Sequence, residues 1–269
     1  MHLGTGEIPY PFAPYCGHPS DATQIWSRWN LDPVLLAVLL AIGVAAVFLP
    51  VDMTSPSTNG DSRWTARRSI LLTGWALTAV ALVSPLCALS VSLFSVRLFQ
   101  HMLLAFVAAP LVVLGLPHPR WSANAQFPAA LCFAAILWLW HLPGPYAATF
   151  NGSLVYWLMH LTMFGAALWF WSAILWAPRE RLAAGTAASL FTGLQMAFLG
   201  AIITFAGRPL YAPHEFTTFA WGLTPLQDQQ LGGAIMWVPA GAVFVAAILF
   251  PLEAVMRQPL PDPRAGPRA

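Results

Sequence analysis

The chain has 269 residues, of which 58% are hydrophobic and 8% are charged. A soluble domain carries about 25% charged residues, so this composition leaves too few charges for a water-exposed surface and predicts an integral membrane protein. The net charge of +2 is too small to suggest nucleic-acid binding, and the three cysteines show neither a disulfide framework nor a zinc motif.

Apolar runs of about 20 residues cross a bilayer as helices, and the chain contains seven of them. The predicted spans cover 31–50, 69–89, 96–116, 126–143, 153–176, 184–206 and 231–255. The predicted fold is therefore an all-α integral membrane protein with seven transmembrane helices over 31–255. Residues 1–30 form a Pro-rich N-terminal tail without the pattern of a signal peptide, and 256–269 form a C-terminal tail.

The arginines orient the predicted bundle, because cytoplasmic loops carry an excess of positive charge. Nine arginines fall on one side of the membrane and three on the other. The C-terminal tail is on the nine-arginine side, so the prediction is a cytoplasmic C-terminus and an N-terminus outside. The loop 207–230 is then external and is expected to cap the outer face.

Three histidines lie within or at the ends of the predicted spans, where ionisable groups usually face the protein interior. His101 and His160 lie roughly 7 and 12 Å below the outer ends of their helices, at 1.5 Å per residue. His141, in "WLWHLP", ends its span on the same side. All three are therefore predicted to lie in the outer half of the bilayer, which favours a shared site.

Methionines accompany these histidines. Met102 follows His101, Met163 is three positions after His160 on the same helix face, and Met236 lies near the start of the last span. Thioether and imidazole together suit Cu(I), so the three methionines are predicted to be auxiliary ligands. Cys87, at the outer end of the second span, is a further candidate ligand, although a methionine in a membrane helix more often only packs.

Five segments match a known family in order. They are "WNLDPVLL", "SPLCALSVSLFSVRLFQHMLLAFVAAPLVVLGLP", "LWLWHLPGPYAATF", "YWLMHLTMFGAALWFW" and "LTPLQDQQLGGAIMWVPAG". Over roughly 26–255 the chain resembles the polytopic CtaG family of cytochrome c oxidase assembly factors, first tied to caa-type oxidases. The resemblance implies a seven-helix protein of the bacterial inner membrane that is needed to mature haem–copper oxidases, with a link to copper.

The resemblance also implies site residues. His101, His141, His160 and Asp228 fall on the family's motif positions, whereas many members have a further histidine where this chain has Arg97. A cation cannot ligate a metal, which argues against a four-histidine site. Arg97 itself is predicted to anchor its helix at the membrane interface.

The leading hypothesis is an assembly factor that holds or delivers copper on the outer side of the membrane. Its ligands would be the three histidines, and Asp228 and Gln230 would orient an imidazole through its second nitrogen. The expected partners are haem–copper oxidase subunits, periplasmic copper chaperones and membrane lipid. The alternatives are a b-type haem protein, a copper transporter and a metal-free scaffold. No nucleophile–base pair, phosphate loop or carboxylate pair predicts an enzyme.

Overall fold

The structure is a computed structural model, and it describes residues 10–48, 60–117, 125–237 and 241. These residues are helical or in turns and loops, and none of them is in a strand. The helices are α1 (Pro33–Phe48), α2 (Gly60–Val83), α3 (Leu86–Ser92), α4 (Phe94–Gly115), α5 (Gln126–His141), α6 (Pro143–Ala148), α7 (Ser153–Leu175), α8 (Leu182–Phe205) and α9, described over 225–237. The all-α prediction is confirmed for this part of the chain.

Four helical segments are long and apolar enough to cross a membrane. They are Thr65–Val83, Phe94–Gly115, Ser153–Leu175 and Arg179–Phe205, and each overlaps a predicted span. α1 and α5 are apolar too but have 16 residues each, fewer than the roughly 20 that a bilayer requires. Most of the predicted span 231–255 lies outside the described residues, so the total of seven spans and their orientation stay predictions.

α4 changes its geometry directly after His101 and Met102. Residues Leu103–Ala108 form a π-helical segment before α-helical geometry resumes. Pro110 explains the change, because it has no N–H to donate and its ring would clash with the carbonyl of residue 106 in a regular helix. The carbonyl of Ala105, left without the N–H of residue 110, accepts a hydrogen bond of 2.7 Å from the indole of Trp171. Such single π turns are frequent at functional sites.

α4 packs mainly against α2 and α7. α2 and α7 both pack along its carboxyl half, and α5 packs between α7 and α8. Glycines allow the closest approaches, since a Cβ at Gly115 of α4 would lie 2.5 Å from the Cβ of Leu71 in α2. The buried core includes a cluster in which methionines and aromatic side chains from α4, α5, α7, α8 and α9 pack together.

The N-terminal tail is folded against one end of the bundle. A disulfide joins Cys16 of the tail to Cys87 of α3, with Cα atoms 5.6 Å apart. Ser20 and Ser92 exchange two hydrogen bonds of 3.0 Å, and the indole of Trp221 donates to the carbonyl of Ser20. The tail and the loop 207–224 therefore cover the same end together, as predicted for the loop but not for the tail.

Candidate functional site

The three histidines singled out in the sequence meet at one place in the structure. His101 of α4, His141 at the end of α5 and His160 of α7 are all buried. The ring centroids of His101 and His160 are 5.6 Å apart, and those of His101 and His141 are 6.1 Å apart. We call these three side chains the histidine cluster.

Backbone carbonyls hold two of the rings in one tautomer. Nδ1 of His141 lies 2.6 Å from the carbonyl oxygen of Leu137, and Nδ1 of His160 lies 3.0 Å from that of Tyr156. Each carbonyl belongs to the preceding helical turn and can only accept, so in both rings Nδ1 carries the hydrogen. The lone pair then lies on Nε2, the arrangement that orients metal-binding histidines in proteins.

The other ring nitrogens of the cluster are unpartnered. Nε2 of His141, Nε2 of His160 and both nitrogens of His101 are buried and have no hydrogen-bond partner among the described residues. A buried polar atom without a partner costs about 1–3 kcal/mol, so four at one place call for an explanation. A bound ion that the imidazoles ligate would satisfy three of them together, one acceptor nitrogen on each ring.

A small cavity of about 10 Å³ lies between two of the rings, close to the least that holds one water molecule. Its lining residues are His101, Leu104, Ala105, His160, Met163 and Phe164. Met163 thus lines the same cavity as His101 and His160. It is also buried in the core cluster that contains Met102 and Met236.

A larger cleft of about 520 Å³ also reaches His160, from the side of α1 and α2. Leu104 and Phe164 separate it from the small cavity, because both side chains line both spaces. Tyr15 and Asp32 lie at the polar part of this cleft, and the rest of its lining is mostly apolar. The histidine cluster therefore borders a small cavity that can hold a single ion or water molecule, and through His160 it also borders a cleft that can hold a much larger ligand.

The cluster is slightly more open than a closed metal site. Metal–nitrogen bonds of about 2.0 Å place the ring centroids of imidazoles on one ion about 5–5.5 Å apart. The separation of His101 and His160 is close to this value, whereas that of His101 and His141 is wider. Accordingly, no group of three or more His, Cys, Asp or Glu side chains in the described part of the chain meets the geometry of a metal site. The donor chemistry fits a soft ion, and the rings would have to draw closer to bind one.

Arg97 lies one helical turn before His101, and its position corrects the sequence analysis. It is 1% exposed, so it does not anchor α4 at an interface. Its guanidinium lies over the rings of Phe150 and Tyr146 at 4.3 and 5.1 Å, and it donates to Oγ1 of Thr149 at 2.7 Å. Within the described ranges no carboxylate forms an ion pair with it. The histidine cluster therefore has a buried positive charge as its neighbour.

Asp228 and Gln230 do not have the roles predicted for them. The carboxylate of Asp228 accepts hydrogen bonds from the backbone N–H of Phe94, at 2.6 Å, and from the backbone and hydroxyl of Ser95. It thereby caps the amino terminus of α4, where backbone N–H groups have no partner within the helix. Gln230 is exposed. Neither side chain has a hydrogen bond to an imidazole in the described part of the chain.

Cys87, a further candidate ligand, has no free thiol in the structure, because its sulfur is bonded to Cys16. No pattern in the sequence pairs these cysteines, since 71 residues separate them and no spacing motif marks them. The sulfurs nevertheless lie near the histidine cluster, because the hydroxyl of Tyr156 is 3.5 Å from Sγ of Cys16 and 3.6 Å from Sγ of Cys87. Tyr156 and His160 are one turn apart on α7.

A further buried histidine was missed in the sequence. His214 lies in the loop 207–224, and its Nε2 forms a hydrogen bond of 2.7 Å with the hydroxyl of Tyr146. Burial lowers the pKa of His214 to about 3, and the charge of Arg97 acts in the same direction. The loop also bonds to the cluster, because the hydroxyl of Tyr211 donates to the carbonyl of His141 at 2.9 Å. The only signal in the sequence was the density of aromatic residues in this loop.

Comparison with known proteins identifies one family. The family described as cytochrome c oxidase caa3 assembly factor (Caa3_CtaG) matches residues 51–258, which is more than three quarters of the chain. No curated protein matches the chain, and no solved structure matches it. The matched range contains the histidine cluster, Arg97, Asp228 and His214, but not Cys16.

Proposed function

Because this chain belongs to the family of cytochrome c oxidase caa3 assembly factors, we propose that it holds Cu(I) at the histidine cluster and delivers it to a haem–copper oxidase during assembly. His101, His141 and His160 would bind the ion, with the thioether of Met163 beside it. The expected partners are oxidase subunits and periplasmic copper chaperones. The bacterial inner membrane is the proposed location.

One observation carries the proposal, namely the four unpartnered ring nitrogens on three converging imidazoles. Imidazole and thioether are neutral ligands that suit Cu(I). They bind it without first losing a proton, because the tautomers of His141 and His160 already leave Nε2 free. The slightly open arrangement of the rings suits an ion that must later be released.

The charge of the surroundings favours a monovalent ion. Arg97 is a buried cation one turn from His101, and no carboxylate in the described ranges pairs with it. In a low-dielectric interior the repulsion between two charges is several times that in water and scales with the charge of the ion. A divalent cation therefore meets about twice the repulsion that Cu(I) meets, which supports Cu(I) over Cu(II) or Zn(II).

The disulfide supports the proposed orientation. Disulfides persist in oxidising compartments such as the periplasm and are rare in the cytoplasm. Cys16 and Cys87 are at the end of the bundle where the tail and the loop 207–224 lie. That end is the one the arginine distribution predicts to be outside, so two independent features favour copper handling on the outer face.

The test is copper binding by the purified full-length protein. Wild type, His160→Ala and the exposed control His18→Ala are titrated with Cu(I) without oxygen against a competing chelator. Wild type and His18→Ala should bind about one Cu(I) at the cluster, and His160→Ala should bind at least ten-fold more weakly. In cells that lack the native protein, His160→Ala should also fail to restore oxidase copper content. Unchanged copper affinity in His160→Ala would overturn the proposal.

The 520 Å³ cleft gives the haem hypothesis one specific observation in its favour. It has the volume of a typical ligand site, and His160 lies on its wall. His101 and His141 do not line it, so a haem in this cleft would have one axial histidine rather than two. An absorption spectrum of the purified protein decides the matter, because bound haem gives a Soret band and bound Cu(I) does not.

A further inference from the structure

One aromatic side chain connects the disulfide to the histidine cluster. The hydroxyl of Tyr156 contacts both sulfurs of the Cys16–Cys87 pair, at 3.5 and 3.6 Å. Its ring centroid is 4.2 Å from that of His160, and its carbonyl accepts the Nδ1 hydrogen of the same histidine. Tyr15, next to Cys16 in the tail, stacks on Tyr156 at 4.8 Å. The disulfide is therefore separated from His160 by a single phenol ring.

The two sulfurs have different surroundings. Cys16 is partly exposed, whereas Cys87 is 0% exposed. Nδ2 of Asn30 lies 3.6 Å from Sγ of Cys87, and the hydroxyl of Tyr156 is a second donor near it. Thiol–disulfide exchange depends on access to the attacked sulfur and on the stability of the thiolate that leaves. An incoming thiolate would therefore attack Cys16, and Cys87 would leave as a thiolate that two donors stabilise.

We propose that Cys16 and Cys87 form a redox-controlled metal site, which binds Cu(I) as a dithiol and passes it to the histidine cluster. The choice of ion rests on the proposed function above. The geometry of the pair is independent of it, because the fold already holds the two Cα atoms 5.6 Å apart and the sulfurs beside Tyr156. In the disulfide form neither sulfur carries a thiolate, so the site binds no ion.

An external protein dithiol reduces the Cys16–Cys87 disulfide. Its first thiolate breaks the Sγ–Sγ bond by forming a mixed disulfide with Cys16, and its second thiol resolves that bond. Two electrons and two protons pass to Cys16 and Cys87, and the reductant leaves as its own disulfide. Cu(I) then forms bonds to both sulfurs and displaces their protons, since thiolates rather than thiols are the ligands. Imidazoles of the histidine cluster next replace the sulfurs, which regain protons.

The experiment uses wild-type protein, so its outcome does not depend on a variant that folds. Full-length protein in nanodiscs is either left oxidised or reduced with a phosphine that is then removed, and both samples are titrated with Cu(I) without oxygen. The oxidised sample should bind about one Cu(I) per chain and the reduced sample about two. X-ray absorption should detect sulfur ligands only in the reduced sample.

Thiol labelling supplies the internal control, because Cys132 is a free cysteine outside the disulfide. In the reduced protein, Cu(I) should slow maleimide labelling of the partly exposed Cys16 at least ten-fold and leave Cys132 unaffected. Cys132→Ser should bind copper as wild type does.

The two proposals fail in different ways. If reduction adds neither copper nor protection of Cys16, while His160→Ala still loses its ion, only the redox-controlled site is wrong. If His160→Ala binds copper normally but the reduced thiols are protected, the copper role of the histidine cluster is wrong and the binding of Cu(I) by the cysteine pair stands.

Discussion

Replacing His101 by leucine tests whether this histidine is a metal ligand or a structural residue. Both ring nitrogens of His101 are buried and unpartnered, and leucine has a similar volume without polar atoms. A neutral imidazole has one donor and one acceptor, and each costs about 1–3 kcal/mol when it is buried without a partner. We therefore expect the free energy of unfolding of metal-free His101→Leu to exceed that of metal-free wild type by about 2 kcal/mol.

Copper should reverse this order. A ligand that binds only the folded state adds about 2.7 kcal/mol at a free concentration of 100 times its Kd. Wild type should gain this amount with Cu(I), and His101→Leu should gain little. The measurement is unfolding in detergent or nanodiscs, first after chelation and then with buffered Cu(I).

His214→Leu is the matched control for this experiment. His214 is as buried as His101 and its Nδ1 is unpartnered too, but its Nε2 is bonded to the hydroxyl of Tyr146. Its replacement removes the unpartnered Nδ1 but leaves that hydroxyl unpartnered, so the two effects offset each other and no net stabilisation is expected with or without copper. If metal-free His101→Leu is likewise no more stable than wild type, the reasoning from unpartnered nitrogens is refuted.

Three further predictions concern the groups around the histidine cluster. Asp228→Ala should lower the free energy of unfolding by about 3 kcal/mol, because it leaves buried N–H groups at the start of α4 unpartnered. Asp228→Asn keeps one acceptor oxygen and should lower the free energy of unfolding by about half as much in the same assay. Trp171→Phe should lower the free energy of unfolding by about 1 kcal/mol, because the hydrogen bond to the carbonyl of Ala105 in the π-helical segment is lost. An equal loss in Trp169→Phe would contradict this explanation. Lowering the pH should destabilise the protein through His214, because its pKa is about 3 in the folded state and about 6.5 in the unfolded state. As the pH falls from about 6.5 toward 3, the unfolded state therefore binds the proton first and is stabilised. The slope, at most about 1.4 kcal/mol per pH unit for one group, should be shallower in His214→Gln, and an identical slope would exclude this histidine as its source.

Much of the helical architecture followed from the sequence, because it depends on local composition. A run of apolar residues can satisfy its backbone in a membrane only as a helix, so hydropathy alone is enough to locate α2, α4, α7 and α8. The same helical geometry predicts that His101, His141 and His160 lie in the same half of the bilayer. Their convergence in one cluster fits that placement, although depth alone does not decide which faces of three helices point toward each other.

Sequence reasoning misjudges residues whose roles depend on distant contacts. It predicts Arg97 to be an interfacial anchor because arginines usually lie at helix ends, yet the aromatic rings that enclose this side chain come from residues some 50 positions later. It predicts Asp228 to lie beside an imidazole, but the hydrogen bonds of this carboxylate are to Phe94 and Ser95, more than 130 positions earlier. Neither contact leaves a pattern in the local sequence.

The sequence by itself therefore determined that the chain is helical and apolar, and it predicted three histidines in the same half of the bilayer. It could do so because hydrophobicity and helical rise act over neighbouring residues. Only the tertiary structure decided that Cys16 meets Cys87, that Tyr156 lies between them and His160, and that the imidazoles converge with their nitrogens free. These contacts depend on how helices far apart in the chain pack and on which face each helix turns toward its neighbours. Both are determined by the packing of many side chains at once.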